Sequence, residues 1–213
     1  MTKYKESIMK AIFFAAACTS ILAVALICLF LFINGIPAMT KIGIFDFLMG
    51  TTWKPNNTPP SFGILPMILG SIYVTAGAAV VGVPVGVLTA VFMAKYCPKK
   101  LYRILKPAIN LLAGIPSIVY GFFGLVVIVP FIRDTFGGAG SSMLAASILL
   151  GIMILPTIVG ISESAIRAIP QSYYEGALAL GASHERSIFF VILPAAKSGI
   201  MAAIVLGIGR AIG

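Results

Sequence analysis

Between Lys54 and Lys95 the chain carries no charged side chain. The apolar part of that interval, Ile64 to Ala94, runs for 31 residues. As one helix it would be about 46 Å long, well beyond the roughly 30 Å hydrocarbon core of a bilayer. Such a helix must tilt, protrude or break, and Pro66 and Pro84 are the expected break points. The whole chain shares this character: 60% of its residues are hydrophobic and 10% are charged, with a mean hydropathy of +1.08. Soluble domains carry roughly 25% charged residues. The expectation is an all-α membrane protein, a polytopic helical bundle.

Five apolar runs serve as expected spans: 11–33, 64–94, 107–132, 142–162 and 198–213. Together they make residues 1–213 a single transmembrane domain, with a polar loop at 163–197. The first run follows Lys3, Lys5 and Lys10 and is too long, with no A-x-A-like cleavage site, to be a signal peptide. The last is short of a full span and lacks a closing polar flank, so the chain is expected to continue past Gly213. Basic residues orient the bundle. If the N-terminus is cytoplasmic, that side holds Lys3, Lys5, Lys10, Lys95, Lys99, Lys100, Arg103, Lys106, Arg167, Arg186 and Lys197, whereas the outer segments hold only Lys41, Lys54 and Arg133. This asymmetry predicts a multi-pass protein of the cell membrane with its N-terminus inside.

Several function classes lose support. The net charge of +9 sits in the gaps between spans rather than in a nucleic-acid-binding motif. Cys18, Cys28 and Cys97 have neither disulfide nor zinc spacing, and His184 is the only histidine, so no metal site and no catalytic triad is expected. His184 reads as a solvated or interface residue. The spans contain no paired carboxylates for a proton relay. No G-x-x-x-x-G-K-[ST] phosphate loop occurs, and "GIGRAIG" is one residue too long for a dinucleotide turn and follows no strand. The chain is therefore expected to bind no cofactor and to be no enzyme.

Glycine and proline are frequent inside the spans, in "GVPVG" (82–86), "GIPS" (114–117) and "YGFFG" (120–124). Gly82 and Gly86 have the spacing that lets two helices approach closely. This favours a transport pathway, although ordinary helix packing uses the same residues. In the outer segment Trp53 has the position of an interfacial belt residue, and "IGIFDFLMG" suits a segment lying along the membrane surface.

The 163–197 loop carries legible punctuation. Ser172 and Glu175 have capping-box spacing and predict a helix from Tyr173, which Gly181 should end. Ser183 can cap a second helix, expected to stop at Pro194. The first helix sets Gly176, Ala177 and Ala179 beside Tyr173, Tyr174 and Leu178. It is too short to stand alone in water. It either docks into another protein or lies back on its own bundle.

"EGALALGASHERSIFFVILP" resembles the EAA loop of ABC importer permeases, E-A-A-x3-G-x9-I-x-L-P, with Gly176 for the first alanine and Val191 for isoleucine. "FGILPMILGSIYVTAGA", "LLAGIPSIVYGFFG" and "LPAAKSGIMAAIVLGIGRAIG" narrow the resemblance to the C-type permease subunits of phosphate-specific (Pst) importers. The resemblance implies a type I importer permease fold with six spans in a full-length member. It implies a bacterial inner-membrane subunit that moves inorganic phosphate. The partners implied are a second, A-type permease, a cytoplasmic ATPase dimer that hydrolyses ATP, an extracytoplasmic phosphate-binding protein and membrane lipid. Tyr173, Tyr174, Glu175, Gly176, Ala177, Leu178 and Gly181 would then form the helix that couples to the ATPase. A permease for another oxyanion, sulfate or molybdate, or a non-transporting membrane sensor or scaffold, are the alternatives.

Arg210 is the candidate pathway residue. It stands 13 residues past Lys197 in an apolar run, beyond the midplane of an expected span. An arginine there costs about 2.5 to 3.5 kcal/mol, so it needs a partner or a wet cavity. A guanidinium matches phosphate oxygens bidentately and keeps its charge. Gly207 and Gly209 are expected to leave room for an anion beside it. The alternatives are snorkelling and an ion pair with a glutamate that the resemblance implies directly after "GRAIG".

Overall fold

The computed structural model describes residues 2–212, with side chains from Glu6 to Ile212. Gly213, at the end of the expected fifth span, lies outside the described residues, as do the side chains of Lys3 and Lys5. The chain divides into two units, residues 1–68 and 69–213. The first holds α1 (Thr2–Ile42), α2 (Ile44–Met49) and a two-stranded hairpin of β1 (Trp53–Lys54) and β2 (Ser61–Phe62). Trp53 pairs with Phe62 across the hairpin and meets it edge to face at 6.0 Å.

The second unit is helical. α3 (Leu65–Val91) enters it and is followed by α4 (Lys99–Gly114), α5 (Ser117–Phe123), α6 (Val129–Phe136) and α7 (Met143–Arg167). The loop forms α8 (Gln171–Ala179), α9 (His184–Ser187) and α10 (Leu193–Ala195), and α11 (Lys197–Ile212) completes the unit. Four stretches are long and apolar enough to cross a membrane: Glu6–Ile42, Leu65–Tyr96, Ser117–Phe136 and Met143–Arg167. A fifth results if His184–Ala195 and Lys197–Ile212, bent by 68°, count as one broken span.

α7 is the axis of the unit. Ser147, Gly151, Ile154, Ile158, Ser162 and Ile166 fall at helical spacing and are all buried. α3 lies against this stripe through Gly82 and Gly86, where a Cβ would come within 2.8 Å of Ile154 Cδ1 and of Ile158 Cγ2 respectively. α11 packs on it through Gly199, Ala203 and Gly207, a small-residue row one turn apart. Ala90, Val91, Met93, Val159, Ile166, Ile188 and Ile192 close the core near the loop.

The proline effects differ from expectation. α3 runs unbroken through Pro84, and Pro66 sits in its first turn, where the missing N–H has no helical partner to lose. The contacts at Gly82 and Gly86 hold the helix on both sides of Pro84. The run expected as one span over 107–132 is two helices. Ile115 precedes Pro116 and is forced out of helical geometry, at φ −69° and ψ 125°. α4 therefore ends at Gly114, and the apolar helix starts at Ser117 and continues to Phe136. The helix expected to stop at Pro194 passes it and bends at Ala196.

Three π-helical turns explain how the chain tolerates other prolines. They span Phe92–Tyr96, Gly124–Ile128 and Ile188–Ile192, and each ends two residues before a proline: Pro98, Pro130 and Pro194. In each, the residue just before the proline donates five residues back: Cys97 to Phe92, Val129 to Gly124 and Leu193 to Ile188. Before Pro130 and Pro194, where the helix continues, the wider turn moves the carbonyl four residues before the proline out of the path of its ring. Before Pro98 the chain leaves the helix, with Cys97 extended at φ −72° and ψ 123°.

Overpacking the α3–α7 contact tests this architecture. Gly82→Val should cost about 1 to 3 kcal/mol and lower the thermal unfolding temperature in detergent. Gly160→Ala, where a Cβ meets nothing within 4 Å, should stay within about 0.5 kcal/mol of the parent.

Candidate functional site

Arg210 lies at the end of α11 and is half-buried. Its Nη1 donates to Thr157 Oγ1 on α7 at 3.2 Å. The guanidinium faces a cavity of about 520 Å3 whose other walls are the α4–α5 break (Ile115, Pro116, Ser117), Tyr120 of α5 and Leu149 and Met153 of α7. Among the described residues no carboxylate lines it. The break is fastened by Tyr120, whose hydroxyl donates at 2.8 Å to Leu112 O, a carbonyl that Pro116 cannot serve and that otherwise accepts only from the Ile115 N–H at 3.3 Å. The N-terminus of the Ser117–Phe136 helix opens on the same cavity and adds partial positive charge. The arrangement is one cation, the Ser117 hydroxyl in an otherwise largely apolar wall and the positive end of a helix, which suits an anion. Gly209 leaves open space, but Gly207 does not: a Cβ there would lie 2.7 Å from Ile158 Cγ1, so this glycine serves the α7–α11 contact.

α8 begins at Gln171, two residues before the expected start, and its N-cap is Pro170 rather than Ser172. Pro170 is extended, at φ −55° and ψ 138°, and the helix begins at once after it, with Tyr173 N–H bonded to Pro170 O at 3.1 Å. Ser172 and Glu175 therefore form no capping box. The C-terminus is as the glycine signal predicts. Gly181 has φ +83°, its N–H reaches Leu178 O at 2.9 Å, and the Ala182 N–H reaches Ala177 O at 3.0 Å. These two bonds make a Schellman motif. Ser183 caps α9 by accepting from Arg186 N–H at 3.3 Å.

α8 has two faces. Tyr174 packs on the core and Ala177 is buried, so these two residues lie back on the bundle. Tyr173, Gly176 and Leu180 follow at spacings of three and four on the other face, with Leu180 91% exposed. Glu175 and Leu178 are also exposed. His184 is exposed but not merely solvated: its Nδ1 lies 2.7 Å from the Tyr174 hydroxyl, and the ring meets Tyr96 edge to face at 5.3 Å.

The sequence pattern alone did not bring out Glu163. Its side chain is 1% exposed near the end of α7. It accepts from Tyr102 Oη at 2.8 Å, from Arg167 Nε at 2.5 Å and from Lys106 Nζ. Arg167 also donates from Nη2 to Met93 O at 2.7 Å and stacks over the Tyr102 ring at 4.4 Å. The hydrogen bond to the Glu163 carboxylate holds the Tyr102 phenol above its ordinary pKa, so it remains a donor. One carboxylate thus ties α4, α7 and the end of the second span together. The only local signal was Arg167 four residues after Glu163; Tyr102 and Lys106 lie far away in sequence. Among the described residues no group of acids, histidines and cysteines could hold a metal ion.

Residues 82–213 match the family described as binding-protein-dependent transport system inner membrane component. The probable ABC transporter permease protein YqgH of Bacillus subtilis (strain 168) is 43% identical over 202 residues, covering 93% of this chain and 65% of that protein. The phosphate transport system permease protein PstC of Mesorhizobium japonicum is 32% identical over 219 residues, covering 93% of this chain and 66% of that protein. The chain thus spans about two thirds of the length of these relatives. Among solved structures, the inward-facing MetNI methionine ABC transporter superposes with a TM-score of 0.54 at 27% identity, covering 71% of this chain and 68% of that one.

Removing the carboxylate at the α4–α7 junction leaves two cations facing one another. Glu163→Gln should therefore cost about 3 kcal/mol, measured as a lower unfolding temperature in detergent. Exposed Glu175→Gln should leave it unchanged.

Proposed function

From the premise that the chain belongs to the binding-protein-dependent transport system inner membrane components, we propose that it is a permease subunit of an ATP-driven phosphate importer. The carrying observation is Arg210, held by Thr157 in a cavity that the α4–α5 break opens and that no carboxylate among the described residues lines. An oxyanion there would replace the water that a guanidinium in an apolar span otherwise requires. Bidentate bonds to two oxygens would orient it. The relative from Mesorhizobium japonicum, a phosphate transport permease by name, supports phosphate as that oxyanion.

In this reading the N-terminus and the 163–197 loop are cytoplasmic, in the inner membrane of a bacterial cell. A binding protein delivers phosphate from outside, and an A-type permease supplies the other half of the pathway. An ATPase dimer grips α8 through Tyr173, Gly176 and Leu180, which stand free, while Tyr174 and Ala177 anchor the helix from behind. α8 leads through α9, α10 and the 68° bend directly into the helix that bears Arg210. Displacement of α8 by the ATPase would therefore move Arg210 relative to the Ser117 end of α5.

Two outcomes test the reading. Arg210→Ala in the full-length, reconstituted transporter should lower phosphate uptake about a hundredfold, two charge-assisted hydrogen bonds being worth roughly 3 kcal/mol, with assembly intact. Normal uptake, or uptake that sulfate competes for equally, would contradict the phosphate pathway. Gly176→Trp, at a position where a Cβ meets nothing within 4 Å, should abolish coupled uptake without loosening the subunit. Parental uptake by this variant would contradict docking through that face.

A further inference from the structure

A second polar cavity, of about 370 Å3, lies behind α8. Lys95 at the end of the second span, Arg167 at the end of α7, Gln171 and Tyr174 of α8 and His184 of α9 line it. It shares no residue with the Arg210 cavity. All five side chains carry hydrogen-bond donors, one of which is spent between Tyr174 and His184, and no carboxylate is among the lining residues. Glu163, the nearest acid in the network, is buried behind Arg167 and also takes the Lys106 ammonium, so it balances one of those two cations and leaves Lys95 uncompensated. The wall is therefore net positive.

Arg167 and the Tyr174–His184 pair are held in place. Arg167 is fixed by Glu163 through Nε and by Met93 O through Nη2, and Nη1 makes no hydrogen bond among the described residues. His184 is fixed at Nδ1 by the Tyr174 hydroxyl and flanked by the Tyr96 ring. One proton lies between the Tyr174 hydroxyl and Nδ1; where the hydroxyl gives it, the ring proton is on Nε2 and adds a donor. Preorganised donors of this kind bind an anion without the entropy of collecting them. They also come from elements that must otherwise move separately: Lys95 from a span, Gln171 and His184 from the loop.

We propose that this cavity is a second anion site, for a small tetrahedral oxyanion such as inorganic phosphate or sulfate. When occupied it ties α8 to the end of the second span and restrains the loop.

The test uses the full-length permease in its purified complex carrying Arg210→Ala, so that the pathway site is silent. Phosphate and, separately, sulfate are titrated while the thermal unfolding temperature is followed, with chloride at matched ionic strength as control. Both oxyanions should raise the unfolding temperature and chloride should not. Lys95→Gln added to that background should raise the half-saturating concentration about tenfold, the loss of one charge-assisted bond. Gln171→Leu, at the exposed first residue of α8, should raise it too and serves if the lysine variant does not assemble. A chloride effect equal to that of the oxyanions, or half-saturation unmoved by either substitution, overturns the site. The absence of Arg210 separates this result from any failure of the pathway reading.

Discussion

Ile154 and Ile158 of α7 are wedged between glycines of two other helices, and the rest of the unit is arranged around that contact. Gly82 and Gly86 of α3 receive them from one side and Gly207 of α11 from another. Lipid tails are as apolar as these side chains, so no hydrophobic drive brings the helices together. What remains is dispersion between closely fitted surfaces, individually small and collectively decisive. Glycine is needed because any Cβ would intrude on the isoleucines. The same contact fixes the rotation and depth of α11, and so carries Arg210 to Thr157 and to the helix break.

Most polar groups that enter this apolar frame are satisfied; the Ser162 hydroxyl, buried on α7 without a partner among the described residues, is the exception. Glu163 is surrounded by three donors, and Tyr120 covers a carbonyl freed by Pro116. The π turns before Pro130 and Pro194 keep the backbone helical where a plain α-helix would collide with the ring. At Ala196 the chain bends by 68° between the loop and α11.

The spans were legible because a bilayer demands apolar length, and the Gly181 and Ser183 signals held because a helix end is decided within a few residues. The Gly82–Gly86 approach was legible for the same local reason. What failed depended on distant partners or on competing local rules. The run over 107–132 looked continuous by hydropathy, yet Pro116 dictates the backbone of Ile115 and divides it. Pro84 looked like a break, but packing on α7 holds α3 straight. Ser172 had the spacing of a cap, and Pro170 preempted it. Gly207 read as space for an anion because the helix it faces could not be known from sequence. Glu163 went unnoticed because its partners come from α4, and pattern alone does not pair segments so far apart.

The central claim is that the cavity at the α4–α5 break is electropositive because of Arg210. The most direct measurement places a cysteine at Ser117, on the cavity wall, in a full-length transporter with Cys18, Cys28 and Cys97 replaced. Its rate of modification is then compared for anionic and cationic thiosulfonate reagents of equal size. The anionic reagent should react faster, phosphate should slow it, and Arg210→Gln should erase the preference. Equal rates in the parent, or a preference for the cation, would contradict the account.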